Sequence, residues 1–489
     1  MPLPRTLSRH LPPLLLASLL LGVYLSTLAP ELTWANSGSD GGDLITAART
    51  GGIAHPTGYP LYLLLARLFQ AIPIGSLAYR TNLMSAVFAA LSAVLIYGLV
   101  TRVLNLKYGW LAGLTAGLAF GLAPLVWSQA VITEVYTLQA FLTALILYLY
   151  VFPTPRSESL RGLLLGLAMG NHLTTIFLTP LMFLDFRAVG GDRARRPASS
   201  LTRQLVWFAI GLSLYLTLPL RALTNPPVNW GNPITLKRLW WLVSGELYQS
   251  YYLQPHLVEI GGRVPVWASL LVQQFGWLGM LAGVFALVLL FKPTRLYLST
   301  LWIGLAYTIF ALLYSSEDSH LYLIPVYLVF AVWIGLGVGD ILGRIPSGSR
   351  VLLWGAGILI AAYLGFQAFS VAPQVDASKD QRAEMFGRQV MAEVPKEALV
   401  FVRGDRAVFT VWYFHFALGQ RPDVAVVVEE LLHFDWYLET LRYTYPALGV
   451  PGPLPWAQNV ADANPNRQAC FVEYAELAEI LCSGSVEIP

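Results

Sequence analysis

The chain has 489 residues, of which 56% are hydrophobic and only 12% charged, with a mean hydropathy of +0.58. A soluble domain carries roughly twice that share of charge, so the composition excludes one and implies a polytopic membrane protein. The net charge of +3 says little, but the absence of a CxxC pair, an HExxH and a P-loop argues against a metal-cluster or nucleotide-driven enzyme, and no nucleic-acid partner is expected.

Arg5 and Arg9 precede an apolar run over 11–29. This run is near the ~20 residues a span requires and lacks a clear small-x-small cleavage site, so it reads as a retained helix rather than a signal peptide. A polar stretch follows over 36–60, NSGSDGGDLITAARTGGIAHPTGYP. Residues 61–74, interrupted by Arg67, are too short for a span and are expected as a helix lying at the interface. Arg80 and Asn82 open a span to about residue 100. Others are expected near 110–126, 136–152, 205–220, 266–291, 297–313, 321–340 and 351–372.

Short basic loops separate them: Arg102/Lys107, Arg156/Arg161, Arg187 to Arg203, Lys292/Arg295 and Arg344/Arg350. The positive-inside rule puts these and the N-terminus in the cytoplasm, and the loops 30–80, 127–135, 221–265, 314–320 and everything after 373 outside. Arg221, Lys237, Arg238 and Arg263 weaken that asymmetry. Residues 162–186 lie between two basic loops and must cross an even number of times. They are read as two half-helices meeting at Asn171 and His172, an arrangement tolerated only where it is buried or lines a cavity. The fold class is therefore an all-α polytopic membrane part over 1–375 plus a small extracytoplasmic α/β domain over 376–489. In the latter, ALVFVRGD, VFTVWYFHFALG and DVAVVV read strand–helix–strand. Cys470 and Cys482 either pair in an oxidising compartment or remain free thiols.

The chemistry-bearing residues gather on the outer side. Asp40 and Asp43 fit a helix cap ahead of LITAA, yet acids directly after a membrane span also suit a lipid-borne substrate, and the two readings coexist. His55 and Tyr59 lie in a Pro/Gly-rigidified turn. Glu134 and Tyr136 sit at the outer end of a span, where a lone acid is commonly just solvated. Asn171 and His172 are polar within an apolar stretch, which is costly and often functional. Arg221 and Arg80 suit either phosphate binding or snorkelling to lipid headgroups. NPPVNWGNP, containing Trp230, then WWLVSGELYQSYY, makes either an aromatic belt or a wall for a sugar. Glu317, Asp318, His320 and Tyr322 could ring the same cavity.

SDGGDLITAARTGGIAHPTGYPLY resembles the signature of a family of membrane proteins long catalogued as of unknown function. That family includes the animal transmembrane O-mannosyltransferase of receptor ectodomains. Its Asp-x-Gly-Glu and Gly-x-x-His-Pro-x-Gly-Tyr/Phe-Pro-Leu runs are matched by Asp40-Gly41-Gly42-Asp43 and by residues 52–61, with Asp43 in place of the usual Glu. Further similar runs are Arg80-Thr81-Asn82, Trp127-Ser128-Gln129, Glu134-Val135-Tyr136, Gly170-Asn171-His172, Pro219-Leu220-Arg221 and Asn229-Trp230-Gly231. Together they cover about 12–260, with weaker likeness to about 440.

The resemblance implies a GT-C glycosyltransferase of about 10–12 membrane helices with an interfacial helix after the first. It would move a sugar, mannose by analogy with the animal enzyme, from a polyprenyl-phosphate donor to a protein hydroxyl or envelope glycan with inversion, at the outer face of the plasma or inner membrane. Asp40 is then the expected base and Asp43 its orienter or substitute. Arg221, and after it Arg80, would hold the donor phosphate. His55, Tyr59, Asn82, Glu134, Tyr136, Asn171, His172 and Trp230 would line the sugar and acceptor cavity. No cofactor is expected and no metal site is legible, although a carboxylate pair is able to hold a divalent ion weakly. A lipid flippase or transporter, or a membrane-anchored binding protein, are the rival classes. The clustering of acids and histidines at one face, rather than along a path, favours the transferase.

Overall fold

The computed structural model describes residues 5–183, 198–252, 257–346, 349–452, 455–475 and 477–483. Residues 184–197, which hold most of the expected basic loop from Arg187 to Arg203, lie outside the described residues.

Helix α1 (Arg5–Thr27) leads into a loop and a short 3₁₀ turn, Ala35–Asp40. Then come α2 (Gly41–Thr50), α3 (Pro60–Gln70), α4 (Leu77–Leu104), α5 (Gly109–Gly121), α6 (Pro124–Ala130), α7 (Tyr136–Val151) and α8 (Pro155–Met169). After a 3₁₀ turn (Leu173–Leu178) follow α9 (Pro180–Phe183), α10 (Ala198–Leu212), α11 (Thr217–Ala222) and α12 (Leu236–Val243). The remaining membrane-embedded helices are α13 (Leu257–Leu289, broken at Gly276), α14 (Arg295–Leu313), α15 (Ile324–Gly343) and α16 (Arg350–Val375).

Among the described residues seven helical stretches are long and apolar enough to cross a membrane, or eight if the bent α5–α6 pair is one span. The expected count of about 10–12 is larger because it included shorter pieces. α7 has 16 residues, and the half-helices around 162–186 are α8 and Leu173–Phe183. The chain does break at Asn171 and His172, as the polar pair in an apolar stretch implied. α3 is the short helix expected after the polar loop.

Small residues set the helix spacing. A Cβ on Gly162 or Gly166 of α8 would lie 2.4 and 2.2 Å from backbone oxygens of α10, so only glycine permits that approach. α4 packs on α1, α5 and α7, and α13 packs on α15.

The C-terminal part carries α17 (Arg382–Glu393), β1 (Leu399–Val402), α18 (Asp405–Trp412), β2 (Ala425–Val428), α19 (Asp435–Thr444), α20 (Ala457–Asp462), β3 (Ala469–Ala475) and β4 (Leu477–Cys482). The expected strand–helix–strand is β1–α18–β2. The sheet order is β2-β1-β3-β4, with β1 parallel to both neighbours and β4 antiparallel to β3. β1 is buried along its length, as a central parallel strand should be. Cys470 and Cys482 stand opposite each other on β3 and β4 and are disulfide-bonded, which closes the question left by the sequence.

This unit does not hang free of the membrane-embedded part. The carboxylate of Asp380 accepts from the Thr33 hydroxyl at 2.6 Å and from the Trp34 and Ala35 amides at 3.0 and 2.8 Å. α18 lies on α2 so closely that a Cβ on Gly42 would be 2.3 Å from the Phe409 carbonyl oxygen. The Arg238 guanidinium forks onto the Glu439 carboxylate of α19 at 2.7 and 2.8 Å. The α/β unit thus roofs the loop that precedes α3.

Candidate active site

The 36–60 stretch folds into a turn, α2, and a return strand that ends at α3. Asp40 occupies the N-cap position of α2, but its side chain makes no capping bond. The local explanation for an Asp-x-x-Asp before an apolar turn is therefore not realised, and both carboxylates point elsewhere.

Asp43 is fully buried. Its Oδ2 accepts from the His55 backbone amide at 2.9 Å and lies 2.7 Å from His55 Nδ1, while its Oδ1 accepts from Trp230 Nε1 at 3.2 Å. The other ring nitrogen of His55, Nε2, lies 3.5 Å from Asp40 Oδ2. The result is a carboxylate–imidazole–carboxylate chain whose Asp43 end is buried and whose Asp40 end keeps 35% side-chain exposure.

The backbone brings these groups together. Residues 51–55 run beside 228–230, with the Ile53 amide on the Val228 oxygen at 2.9 Å, and this pairing delivers Trp230 to Asp43. Gly52 is required there, since a Cβ would sit 2.3 Å from the Val228 oxygen. Gly58 (φ +82°) and Tyr59 (φ +41°) turn the chain into α3, whose Leu61 amide bonds the Gly170 oxygen. The turn after α2 is thereby tied to the break at 170–172.

Burial opposes a charged imidazole at His55, but the Asp40 carboxylate, followed by Asp43, overrides it and raises the ring to about 9. His55 is therefore a cation at neutral pH, held between two acids. Glu134, in the loop before α7, is buried, and burial first and Asp40 second hold its carboxyl well above the usual range. Its Oε2 accepts from the Val135 amide at 3.3 Å.

Beside this chain opens a cavity of about 470 Å³ whose wall is largely aromatic: Tyr59, His172, Tyr248, Tyr252, Tyr314 and Tyr322. The His55 and Tyr59 rings meet at 5.0 Å, and Asp40 lies within electrostatic range of Tyr59, Tyr248 and Tyr322. Tyr136 packs against His172 and Tyr322 at 5.8 and 6.1 Å. Of the expected site residues, Tyr59 and His172 line this hollow; His55 adjoins it through Tyr59 and Tyr136 through His172 and Tyr322, and His55 carries the link to Asp40, Asp43 and Trp230.

Others have different duties. Asn82 bridges the Ala29 oxygen and the Thr133 hydroxyl and is buried. Asn171 is buried and bonds the Val135 oxygen and Gln139 across the helix break. Arg80 donates to the Ile74, Gln70 and Gly75 oxygens and closes the turn after α3. Arg221 lines a separate cavity that shares no residue with the aromatic one. Arg221 thus lies beside Gly52 and Arg67, and neither it nor Arg80, the two residues expected to hold the donor phosphate, is among the residues that line the aromatic hollow. Among the described residues no group of three His, Cys, Asp or Glu side chains is placed to hold a metal ion.

Three contributors come from the C-terminal unit and were not anticipated. Phe409 stacks on His55 at 6.1 Å, Trp412 meets Trp230 at 6.1 Å, and Asp405 at the start of α18 lies within electrostatic range of both Asp40 and His55. Burial, then Asp40, raises the Asp405 carboxyl.

The fold matches known membrane enzymes. The superposition on ArnT from Cupriavidus metallidurans bound to undecaprenyl phosphate covers 97% of this chain and 99% of that one, with a TM-score of 0.61 at 14% identity. That on the Archaeoglobus fulgidus oligosaccharyltransferase in its apo form covers 88% and 68%, with a TM-score of 0.54 at 13% identity. The chain therefore has a GT-C-like fold and, with its apolar helices, is a membrane protein. In sequence, the chain is 28% identical to mouse protein O-mannosyl-transferase TMEM260 over 85% of its length. It is 24% identical to the Dictyostelium discoideum protein of the same name over 88%. It spans 62% and 58% of those relatives' own lengths. Residues 40–188 match the family model of the protein O-mannosyl-transferase TMEM260 N-terminal domain and residues 383–476 match that of TMEM260-associated domain 2, so a stretch of the membrane-embedded part and most of the C-terminal roof are similar to that family.

Proposed function

We propose that the chain is an inverting glycosyltransferase that moves a sugar, mannose by its relatives' name, from a polyprenyl-phosphate carrier to a hydroxyl acceptor on the non-cytoplasmic face. The observation that carries the reading is the asymmetry of the Asp43–His55–Asp40 chain. One carboxylate is buried and saturated with donors, and the other is partly open beside an aromatic hollow. The acceptor hydroxyl attacks the anomeric carbon from the side opposite the carrier phosphate. Its proton passes to the Asp40 carboxylate as the new C–O bond forms, and the old C–O bond breaks with its electron pair leaving on the phosphate. Asp43 fixes His55, and His55 fixes Asp40, so the base is oriented before substrate arrives. Tyrosine faces suit the apolar faces of a sugar ring and the first isoprene units.

ArnT, which shares the fold, binds undecaprenyl phosphate, and this supports a polyprenyl carrier here. The relatives' name supports a protein acceptor over an envelope glycan. The test is transfer from a labelled polyprenyl-phosphate sugar by membranes carrying D40N. A loss of about 10²–10⁴-fold is expected for removal of a general base, and near-wild-type turnover would take Asp40 out of that role.

A further inference from the structure

A second cavity, of about 390 Å³, opens between α3 and α11. Arg67 and Arg221 line it together with Thr50, Gly51, Leu63 and Leu220, and no carboxylate is among its lining residues. Arg221 reaches one protein acceptor, the Gly52 oxygen at 3.4 Å, and the charged neighbour it feels is Arg67. Among the described residues, two guanidiniums share this hollow without an acidic side chain in its wall. Gly51 (φ +71°) preserves the space, because a Cβ there would come within 3.2 Å of the Arg67 guanidinium.

The surroundings are apolar and open. Leu64 and Leu68 on α3, and Leu220 and Leu223 at the end of the Ser200–Ala222 span, are 42%, 61%, 65% and 66% exposed. Exposed leucines at the end of a membrane span face acyl chains, and a paired cationic hollow among them sits where headgroups lie. Like charges in such a place repel unless an anion joins them, and two guanidinium forks match the oxygens of a phosphate.

We infer that the Arg67–Arg221 cavity binds the phosphate headgroup of a membrane lipid, at a site separate from the acid–histidine hollow. The two sites lie on either side of one short segment: the Gly52 carbonyl faces Arg221, and His55 three residues later faces Asp43. The shared chemistry is a lipid phosphate, and its source is either a polyprenyl-phosphate carrier or a bilayer phospholipid.

The test is native mass spectrometry of the full chain in detergent, titrated separately with a polyprenyl phosphate, phosphatidylglycerol and inorganic phosphate. Wild type is expected to retain at least one of the two lipids, and R67Q/R221Q to bind that lipid about tenfold or more weakly. Loss confined to the polyprenyl phosphate names the carrier as the ligand, and loss confined to phosphatidylglycerol names the bilayer. Because Arg67 is exposed, R67Q alone keeps the test informative if the double variant fails to fold, with a several-fold weakening expected. Unchanged lipid binding in R67Q or the double variant overturns the assignment, as does binding of inorganic phosphate as tight as either lipid. D40N is expected to bind lipid like wild type, so this result stands or falls apart from the transferase reading. Weakened lipid binding in D40N would place the phosphate in the acid hollow and overturn the assignment.

Discussion

The acid–histidine chain and the Arg67–Arg221 cavity are built from neighbouring turns of the same segment but are opposite in kind. In the first, each charge answers another: Asp43 takes two donors from His55 and one from Trp230, and His55 lies between two carboxylates. In the second, two cations stand side by side, with no acid among the described residues that line the hollow. The contrast separates two meanings of polar residues at a membrane surface. A compensated network positions groups for chemistry, and an uncompensated pair asks for a ligand of opposite charge.

The comparison breaks most severely at Asp43. D43A would leave the His55 cation buried beside a cavity and Trp230 without its acceptor. A loss of about 3–5 kcal/mol is expected, read as a fall in apparent melting temperature in detergent. An unchanged melt would show that the cluster does not hold the loop. Next comes pH. His55 is raised from 6.5 to about 9, so its share of stability is complete below about 6.5 and is lost as pH rises through about 9. The stability gap between wild type and H55A should therefore shrink across that window by about 3 kcal/mol, and a constant gap would contradict the ion pair.

Gly42 probes the roof. G42V drives a side chain into the Phe409 carbonyl and should cost about 1–3 kcal/mol, with faster proteolysis at the start of α18. Protection equal to wild type would mean that α18 is not seated on α2. The smallest effect is expected at the Arg238–Glu439 fork, which is partly exposed: E439Q should cost roughly 0.2–1 kcal/mol and leave transfer intact.

Much of this was legible in the sequence for one reason: residues 36–60 carry their own turn chemistry. The glycines and prolines that shape the return from α2 to α3 sit beside the acids and the histidine they position, so Asp40, Asp43, His55 and Tyr59 are read together. The break at Asn171 and His172 was visible because polar side chains interrupt an apolar run. The roof was not visible. Asp405 and Phe409 lie hundreds of residues beyond His55, and nothing local marks an α/β helix as a lid. Arg80 and Arg221 show the converse. Their place at span ends suggested phosphate, but only the fold reveals that Arg80 closes a turn on three carbonyls and that Arg221 shares a cavity with Arg67. The helix count drifted for a simpler reason, since short apolar helices that stop part-way look like spans in one dimension.

The most direct measurement is an experimental structure of D40N in lipid with a polyprenyl-phosphate sugar bound, the variant being chosen so that donor accumulates unreacted. If Asp40 is the base, the sugar ring lies against Tyr59, Tyr248 and Tyr322, with its anomeric carbon open to an acceptor within hydrogen-bond reach of the side chain at position 40. Density for the sugar in any other cavity, with the aromatic hollow empty, would contradict it.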